Sequence, residues 1–380
     1  MVATHPIQYQ TPLYRYLTER DLPVHVFFLC RRGYDGGHDV GFGRAVSWDI
    51  PLVEGFSHEF VPGVGRTPER FFGLLNPTLL SAIDGRRFSA VLVHGWRSLS
   101  MLSAIARART ARLPVFYRAE STSLSTSVRG KTAEALTWGM KNMVSACLSI
   151  GSLNDAFYSA VGVPPDRRFL VPYAVDNARF QAAAVAVPKA QARAALGISG
   201  AGPVVLFAGK LVAWKRPELL LRAFIAAAPR DAQLLYAGTG KMLEELRAEA
   251  ESYAPGRVHF AGFLNQSEIP TAYRAADLLV MPSDHEPWGL VVNEAMNFEV
   301  PAIVSTQVGC GPDLVSPGVT GEVFNAGNEE HLSSMLAPLL HDPGRLGVMG
   351  KQARARIDEW SFKECEAGLR RALEKVGVRA

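Results

Sequence analysis

The densest chemistry in the sequence lies in the stretch PSDHEPWGLVVNEAMNFEVPAIVS, residues 282–305, where two carboxylates, Glu286 and Glu294, stand eight positions apart. Pro287 and Gly289 form a tight turn, and the spacing that follows predicts a helix opening near Leu290. Glu286 then belongs to the loop and Glu294 to the helix, one turn in. The first N–H groups of a helix find no acceptor inside it, so Gly289, Leu290 and Val291 would present donors suited to a phosphate. A carboxylate on the same helix face can accept from both hydroxyls of a ribose. One loop could therefore hold a phosphate and a sugar together.

A second stretch, FAGKLVAWKRPELL, predicts a strand ending at Ala208, a loop carrying Gly209, Lys210 and Lys215, and a helix opening at Pro217. Two ammonium groups on one strand-to-helix loop can neutralise a leaving pyrophosphate without a metal ion. Either lysine alone reads as a solvated surface residue. With the Glu286 loop at the equivalent end of the same sheet, they read as parts of one site. Metal-dependent chemistry has less support: the chain contains no Asp-x-Asp, and Cys30, Cys147, Cys310 and Cys365 lie far apart without ligand spacing.

These loops need a scaffold, and the rhythm of the chain supplies one. Short apolar runs alternate with segments of helical period, as in stacked βαβ units. The first set has strands at 24–29, 90–93, 115–117 and 146–150, with helices at 99–112 and 132–141 between them. The second set has strands at 204–207, 233–236, 278–281 and 302–304, separated by helices at 218–228, 243–253, 269–275 and 291–298. The expected fold is α/β, two doubly wound Rossmann-like lobes facing across a cleft, joined by one link and binding ligands at the carboxyl ends of their strands. We place the lobes at residues 1–180 and 181–360, with a linker and a short helix (190–196) from 175 to 202, and a terminal helix at 361–380 packing back on the first lobe. Val2 to Thr4 lead directly into the His5-Pro6 turn, so the first strand is very short or further residues precede it.

Composition narrows the class. With 40 basic and 36 acidic residues, 48% hydrophobic content and no run of like charge, this is an ordinary globular chain and a poor nucleic-acid reader. No segment has the length of a membrane span. The cysteines read as reduced thiols, and the expected location is cytoplasmic, with peripheral contact at the inner membrane face open.

The motifs of the second half make the chain similar to family 4 glycosyltransferases, retaining enzymes of the GT-B fold. They run in order: GKL…WKRP, YAGTGKMLEEL, VHFAGFL, YRAADLLVMPS, the E-x7-E loop, GCGPDLV and GVTGEVF, across roughly residues 200–340. The resemblance implies that Lys210 and Lys215 bind a nucleotide diphosphate, with Lys210 where the family more often has Arg. It implies that Glu294 holds the ribose, that Glu286 meets the donor sugar near the reacting carbon, and that the Gly289 and Leu290 amides contact the distal phosphate. It places Gly209 and Gly238 among the donor-binding residues, and Gly262 and Phe263 as lining the base pocket largely through backbone. The implied partners are a nucleotide diphosphate sugar, with uridine favoured and guanosine or adenosine open, and an acceptor bearing a hydroxyl. No cofactor and no divalent metal are implied.

Departures gather in the first half. Where many members carry a histidine near the anomeric carbon, LPVFYRAEST places Glu120, with Arg118 two residues before it. Glu120 could stabilise oxocarbenium charge, orient an acceptor hydroxyl or pair with Arg118. His94, at the end of a strand, is a second candidate for catalysis, and a satisfied buried histidine is the plain alternative. His5, Gln8, Tyr9 and Arg118 are candidate acceptor-side residues. Asp284 and His285 adjoin Glu286 without acquiring a role from it. Trp214 and Trp288 are the best-placed sugar-stacking rings, whereas Trp138 and Trp360 read as core. Residues 31–43 read as a mobile loop, which suits acceptor entry and equally a dispensable surface. Arg15, Arg66, Arg70, Phe71 and Phe72 could form a membrane-facing patch, against the plainer expectation of a solvated face over a core aromatic pair.

Rival classes are a nucleotide-sugar epimerase of the same fold and a non-catalytic nucleotide-sugar sensor or subunit. A dehydrogenase is disfavoured by the absence of a dinucleotide fingerprint. Frequent Ala and Arg suggest a bacterial source, and polysaccharide, glycolipid and natural-product acceptors all remain open. Oligomeric state is not readable.

Overall fold

A computed structural model of the chain describes residues 1–39, 41–65, 70–96, 98–124 and 131–378. It divides into two compact units. The first comprises Met1–Gly37, Pro51–Val175 and Ser361–Ala380, and the second His38–Ile50 and Asp176–Trp360. The backbone therefore passes between units at four places, where the sequence suggested one link.

The first unit is built on β1 (Val2–Ala3), β2 (His25–Phe28), β5 (Ser57–Phe60), β6 (Val91–His94), β7 (Val115–Arg118), β8 (Ala146–Ser149) and β9 (Arg168–Leu170), and the hairpin strands β3 (Gly37–Asp39) and β4 (Arg44–Val46) stand apart from them. Its seven strands lie in the order β5-β2-β1-β6-β7-β8-β9, all parallel. From β1 the chain moves outward to β2 and β5, then returns beside β1 at β6 and proceeds the other way. The reversal between β1 and β6 is the switch point at which such sheets open a crevice for ligands.

The second unit repeats the plan with β10 (Val204–Ala208), β11 (Gln233–Ala237), β12 (Val258–Gly262), β13 (Leu278–Met281), β14 (Ala302–Ser305) and β15 (Gly321–Phe324). The order is β12-β11-β10-β13-β14-β15, again parallel, so its switch point lies between β10 and β13. Every residue of β10, β13 and β14 is buried, as expected for strands covered by helices on both faces. Val205, Phe207, Tyr236, Val280 and Ile303 pack with Leu220, Phe224, Leu332 and Leu336 from the covering helices. Each such apolar side chain contributes about 1.5–3 kcal/mol by leaving water.

The expectation about the connection after residue 175 is corrected. The supposed linker after residue 175 begins with a helix, Asn177–Ala186, whose N-terminus is capped by Asp176 accepting from the Arg179 N–H at 3.1 Å. Its alanines favour helix without giving an amphipathic stripe, which hides it from periodicity. Phe180, placed at the boundary, is buried inside this helix against Tyr273 and Phe298. Of residues 31–43, position 40 lies outside the described residues, and the others divide between the two units. Arg31 pairs with Asp35 at 2.6 Å and lies over Phe60 of β5, whereas residues from His38 onward belong to the second unit. The terminal helix Phe362–Lys375, closed at its start by a Ser361/Glu364 capping box, buries Phe362, Cys365, Leu369 and Leu373 in the core of the first unit.

Candidate functional site

At the switch point of the second unit, the loops after β10 and β13 carry the sequence-marked residues. A short 3-10 turn, Ala213–Lys215, precedes the helix Pro217–Ala227, and Gly289 caps the helix Leu290–Met296. The two loops are tied at three points. Lys215 Nζ meets Glu286 Oε2 at 2.5 Å, Arg216 bridges to Asp284 at 3.0 Å, and the Asp284 N–H donates to the Trp214 carbonyl at 2.8 Å. Asp284 thus fastens the loop, while the adjoining His285 is exposed.

Backbone contacts fix Glu286 in turn. Its N–H donates to the Gln307 carbonyl, and its carbonyl accepts from the Gly309 N–H at 2.9 Å. The GCGPDLV motif has a steric reason here: a Cβ on Gly309 would lie 1.9 Å from the Pro287 carbonyl oxygen. Close approach also explains the Gly-x-Gly turn, since a Cβ on Gly238 would lie 1.8 Å from the carbonyl oxygen of Gly209. The loops after β10 and β11 can approach only without side chains at these places.

Glu294 is deep in the unit. The Tyr273 hydroxyl donates to its Oε2 at 2.5 Å, and burial pushes its pKa up to about 7 against the opposing pull of that bond and of Arg179. Its carboxyl therefore changes charge near neutrality. Lys210 lies with its ammonium 4.8 Å from the ring centre of Phe42. Gly262 ends β12, and Phe263 follows it with its ring edge-on to Phe42.

In the first unit, His5, Gln8 and Tyr9 follow β1, His94 ends β6, and Arg118 and Glu120 lie at the end of β7. The structure brings some of these together. Glu120 Oε1 accepts from the Tyr9 hydroxyl at 3.2 Å and from the Tyr173 hydroxyl at 2.7 Å, with the two rings edge-to-face. Arg118, 4% exposed, donates to the carbonyls of Val171 and Pro172 and lies over Tyr173. The suggested Arg118–Glu120 ion pair is absent among the described residues. His94 shares a 3.0 Å hydrogen bond with Tyr14, and burial aided by the Arg118 charge lowers its pKa to about 3, so the ring is neutral at working pH. His5 Nδ1 hydrogen-bonds with the Thr4 hydroxyl at 3.0 Å, and Gln8 is half-buried in the same turn.

Several aromatic assignments change. Trp288 is 3% exposed, donates to Asn293 and stacks on Trp360, so its ring serves packing and is closed to a sugar. Trp214 stays half-exposed beside the tied loops. Trp138 was expected in the core and is 60% exposed, and Phe71 and Phe72 form an edge-to-face pair on the surface, Phe72 at 71%. Arg15 is engaged with the carbonyls of Pro51 and Glu54, and Arg66 lies outside the described residues. Reading by sequence missed Tyr173 and Tyr273, although Tyr273 opens the quoted YRAADLLVMPS motif, because nothing local marks a tyrosine as the donor to a distant carboxylate.

Of the four cysteines, Cys147, Cys310 and Cys365 are buried, and none forms a disulfide. Among the described residues, no helix is long and apolar enough to cross a membrane.

Comparison with known proteins decides the family. The sequence profile described as "Glycosyl transferases group 1" matches residues 188–356, the greater part of the second unit. A D-inositol 3-phosphate glycosyltransferase of Salinispora arenicola is 30% identical over 393 aligned positions, covering 91% of this chain and 85% of that protein. The chain belongs to the group 1 glycosyltransferases. Another relative, a GDP-mannose-dependent monoacylated alpha-(1-6)-phosphatidylinositol monomannoside mannosyltransferase of Corynebacterium glutamicum, is 35% identical over 217 residues. That match spans 54% of this chain and 56% of the relative, so the chain spans about half the length of such curated relatives. Among solved structures, Anabaena HepE in complex with UDP and glucose superposes with a TM-score of 0.74 at 16% identity, over 98% of each chain. Sucrose-phosphate synthase from Thermosynechococcus elongatus gives 0.68 at 21% identity, over 96% of this chain and 92% of the other. The fold of this group 1 member is therefore GT-B.

Proposed function

We propose that this glycosyltransferase moves a sugar from a nucleotide diphosphate sugar to an acceptor hydroxyl with retention at the anomeric carbon and without a divalent metal. The observation that carries the reading is the pairing of Lys215 with Glu286 at the second unit's switch point. In the resting site Glu286 is the counterion of Lys215. On donor binding, the diphosphate takes the ammonium groups of Lys215 and Lys210, and Glu286 turns to the sugar hydroxyls. Glu294 accepts from the ribose, and the N–H groups of Gly289 and Leu290 meet the distal phosphate.

The bond from the anomeric carbon to the phosphate oxygen breaks as the lysines stabilise the charge it leaves. The acceptor oxygen bonds to the same face of that carbon, and its proton passes to the departing phosphate. No enzymic nucleophile is needed. Glu120, held by Tyr9 and Tyr173, and the neutral His94 serve the acceptor side. Acceptors in bacterial polysaccharide, glycolipid or natural-product assembly fit this chemistry, and the exposed Phe71-Phe72 pair suits peripheral contact with a lipid acceptor at the inner membrane face.

Calorimetric titration with uridine, guanosine, adenosine and thymidine diphosphates in the presence of a chelator tests the reading. Micromolar binding of one nucleotide, weakened in Glu294→Gln, is expected, with the uridine nucleotide first. HepE binds UDP, and the mannosyltransferase relative is named for GDP-mannose, which sets the order of trial. Failure of every nucleotide to bind would overturn the proposal.

A further inference from the structure

Between the 3-10 turn that ends at Lys215 and the helix that opens at Pro217, the backbone turns over at Arg216, with φ +52° and ψ +45°. Residues with a Cβ rarely adopt this left-handed conformation. Among the described residues, three other non-glycine positions share it, Asp21, Arg112 and Glu299, and each follows a helix, where a left-handed residue serves to end it. Arg216 precedes a helix, so helix termination does not account for it. Its backbone is fully engaged: the N–H donates to the Ala213 carbonyl at 3.1 Å, and the carbonyl accepts from the Leu219 N–H at 3.2 Å. The next residue is fixed too, because the buried Tyr236 hydroxyl donates to the Pro217 carbonyl at 2.8 Å.

The Arg216 side chain shows what this turn holds. Its guanidinium forks, with Nε donating to Glu218 Oε1 at 2.6 Å and Nη1 to Asp284 Oδ2 at 3.0 Å. Glu218 lies in the first turn of the helix, where a carboxylate complements the open N–H groups, and its Oε2 is buried without a hydrogen-bond partner. Glu218 thus anchors one arm of the fork to the helix, and the other arm reaches the loop after β13. It ends on Asp284, two residues before Glu286. Two ion pairs therefore span the same two loops, Lys215 with Glu286 and Arg216 with Asp284.

The two pairs have different fates in the donor cycle proposed above. A diphosphate arriving at Lys215 takes the place of Glu286 and dissolves the first pair. That exchange makes no claim on Asp284, so the second pair stays closed while the first is open.

We propose that Arg216 is a positioning residue, which through Asp284 holds the two loops at the spacing where Lys215 faces the diphosphate after releasing Glu286. The inference rests on the donor-site reading above. It gives Asp284 an effect opposite in sign to that of its charge. A carboxylate beside an anion site repels the ligand, so by charge alone its removal tightens binding. As the anchor of the tie, its removal weakens binding.

The test compares wild type with Asp284→Ala, Arg216→Gly and the double variant, titrating each with uridine diphosphate and with inorganic pyrophosphate and following thermal unfolding. Asp284→Ala should weaken both ligands about threefold, the order of one partly exposed ion pair, although the site has lost a negative charge. Its unfolding midpoint should stay at the wild-type value, because Arg216 keeps Glu218. Arg216→Gly retains the left-handed turn and removes the fork, and it should weaken both ligands at least as much. The double variant should bind no more weakly than Arg216→Gly, since the two residues act as one tie. Unchanged or tighter binding in Asp284→Ala would overturn the proposal, the latter because a released Arg216 would then be a phosphate ligand in its own right. Additive losses in the double variant would overturn it as well. Wild type that binds neither ligand would overturn the donor-site reading, and the inference with it, whereas wild-type binding with an indifferent Asp284→Ala breaks the inference alone.

Discussion

The carboxyl ends of the two sheets solve the same positioning problem with different materials. In the second unit, the loops after β10 and β13 are tied to each other by ion pairs, Lys215 with Glu286 and Arg216 with Asp284, over glycines that permit backbone contact. In the first unit, the carboxylate at the end of β7 is held by phenol hydroxyls, and the nearby histidine is neutral. Fixed charge held on fixed backbone suits a ligand part that never varies, a diphosphate. Neutral hydroxyls on rings suit a partner that differs from one enzyme to the next, an acceptor. The contrast predicts that damage in the second unit shows in donor binding and leaving-group departure, and that damage in the first unit shows in turnover alone.

The sharpest way to break this contrast is Lys215→Ala. Removing the cation proposed to meet the leaving charge should lower turnover by about 100-fold or more, as loss of an oxyanion donor does. Release of nucleotide diphosphate under saturating donor is the measurement, and a near-normal rate would remove Lys215 from the chemistry.

Tyr173→Phe probes the other side. It deletes the 2.7 Å hydrogen bond to Glu120 and leaves the ring in place. A bond to a charged acceptor contributes about 1.5–3 kcal/mol, so turnover should fall on the order of tenfold to a hundredfold while calorimetric affinity for the nucleotide stays constant. A matching loss of nucleotide affinity would dissolve the division between the two sites.

The smallest effect concerns pH. Glu294 has its pKa raised to about 7 by burial, and on the proposed role its ionised form is the one able to accept from two ribose hydroxyls. Affinity for a nucleotide sugar should rise by up to about tenfold from pH 6 to 8, and Glu294→Gln should flatten the profile. The effect on folding runs the other way. A carboxyl that holds its proton more tightly when folded makes the chain less stable as pH rises from its ordinary range to about 7. Thermal unfolding of the wild type and Glu294→Gln across that interval would show the two curves converging at the acidic end.

Legibility in the sequence follows the same division. The second unit could be read because its geometry is local: Gly238 must lack a side chain next to Gly209, Gly309 next to Pro287, and a short loop must separate Lys215 from the helix at Pro217. Constraints of this kind leave ordered motifs, and the strands at 204, 233, 278 and 302 begin where the apolar runs indicate. The first unit could be read as strands but not as a site. Tyr9 and Glu120 are 111 residues apart and Tyr173 is 53 beyond Glu120, so no spacing rule connects them. Trp288 misled for a related reason. It sits inside a motif, yet its ring faces Trp360, a partner supplied by a distant helix end. The helix Asn177–Ala186 escaped because alanine promotes helix without marking a buried face.

The four passages of the backbone between units carry a practical consequence for anyone who would divide the protein. A fragment from Asp176 to Trp360 would contain both lysines, both glutamates and the Gly-x-Gly turn, yet it would lack residues 38–50 and leave Phe263 and Lys210 bare on the sides the hairpin covers. A fragment of the first 175 residues would lose the terminal helix that fills its own core. Chimeras made by joining halves of two such enzymes would therefore need three matched segments on one side and two on the other, with the hairpin travelling with the half that carries Lys210 and Lys215.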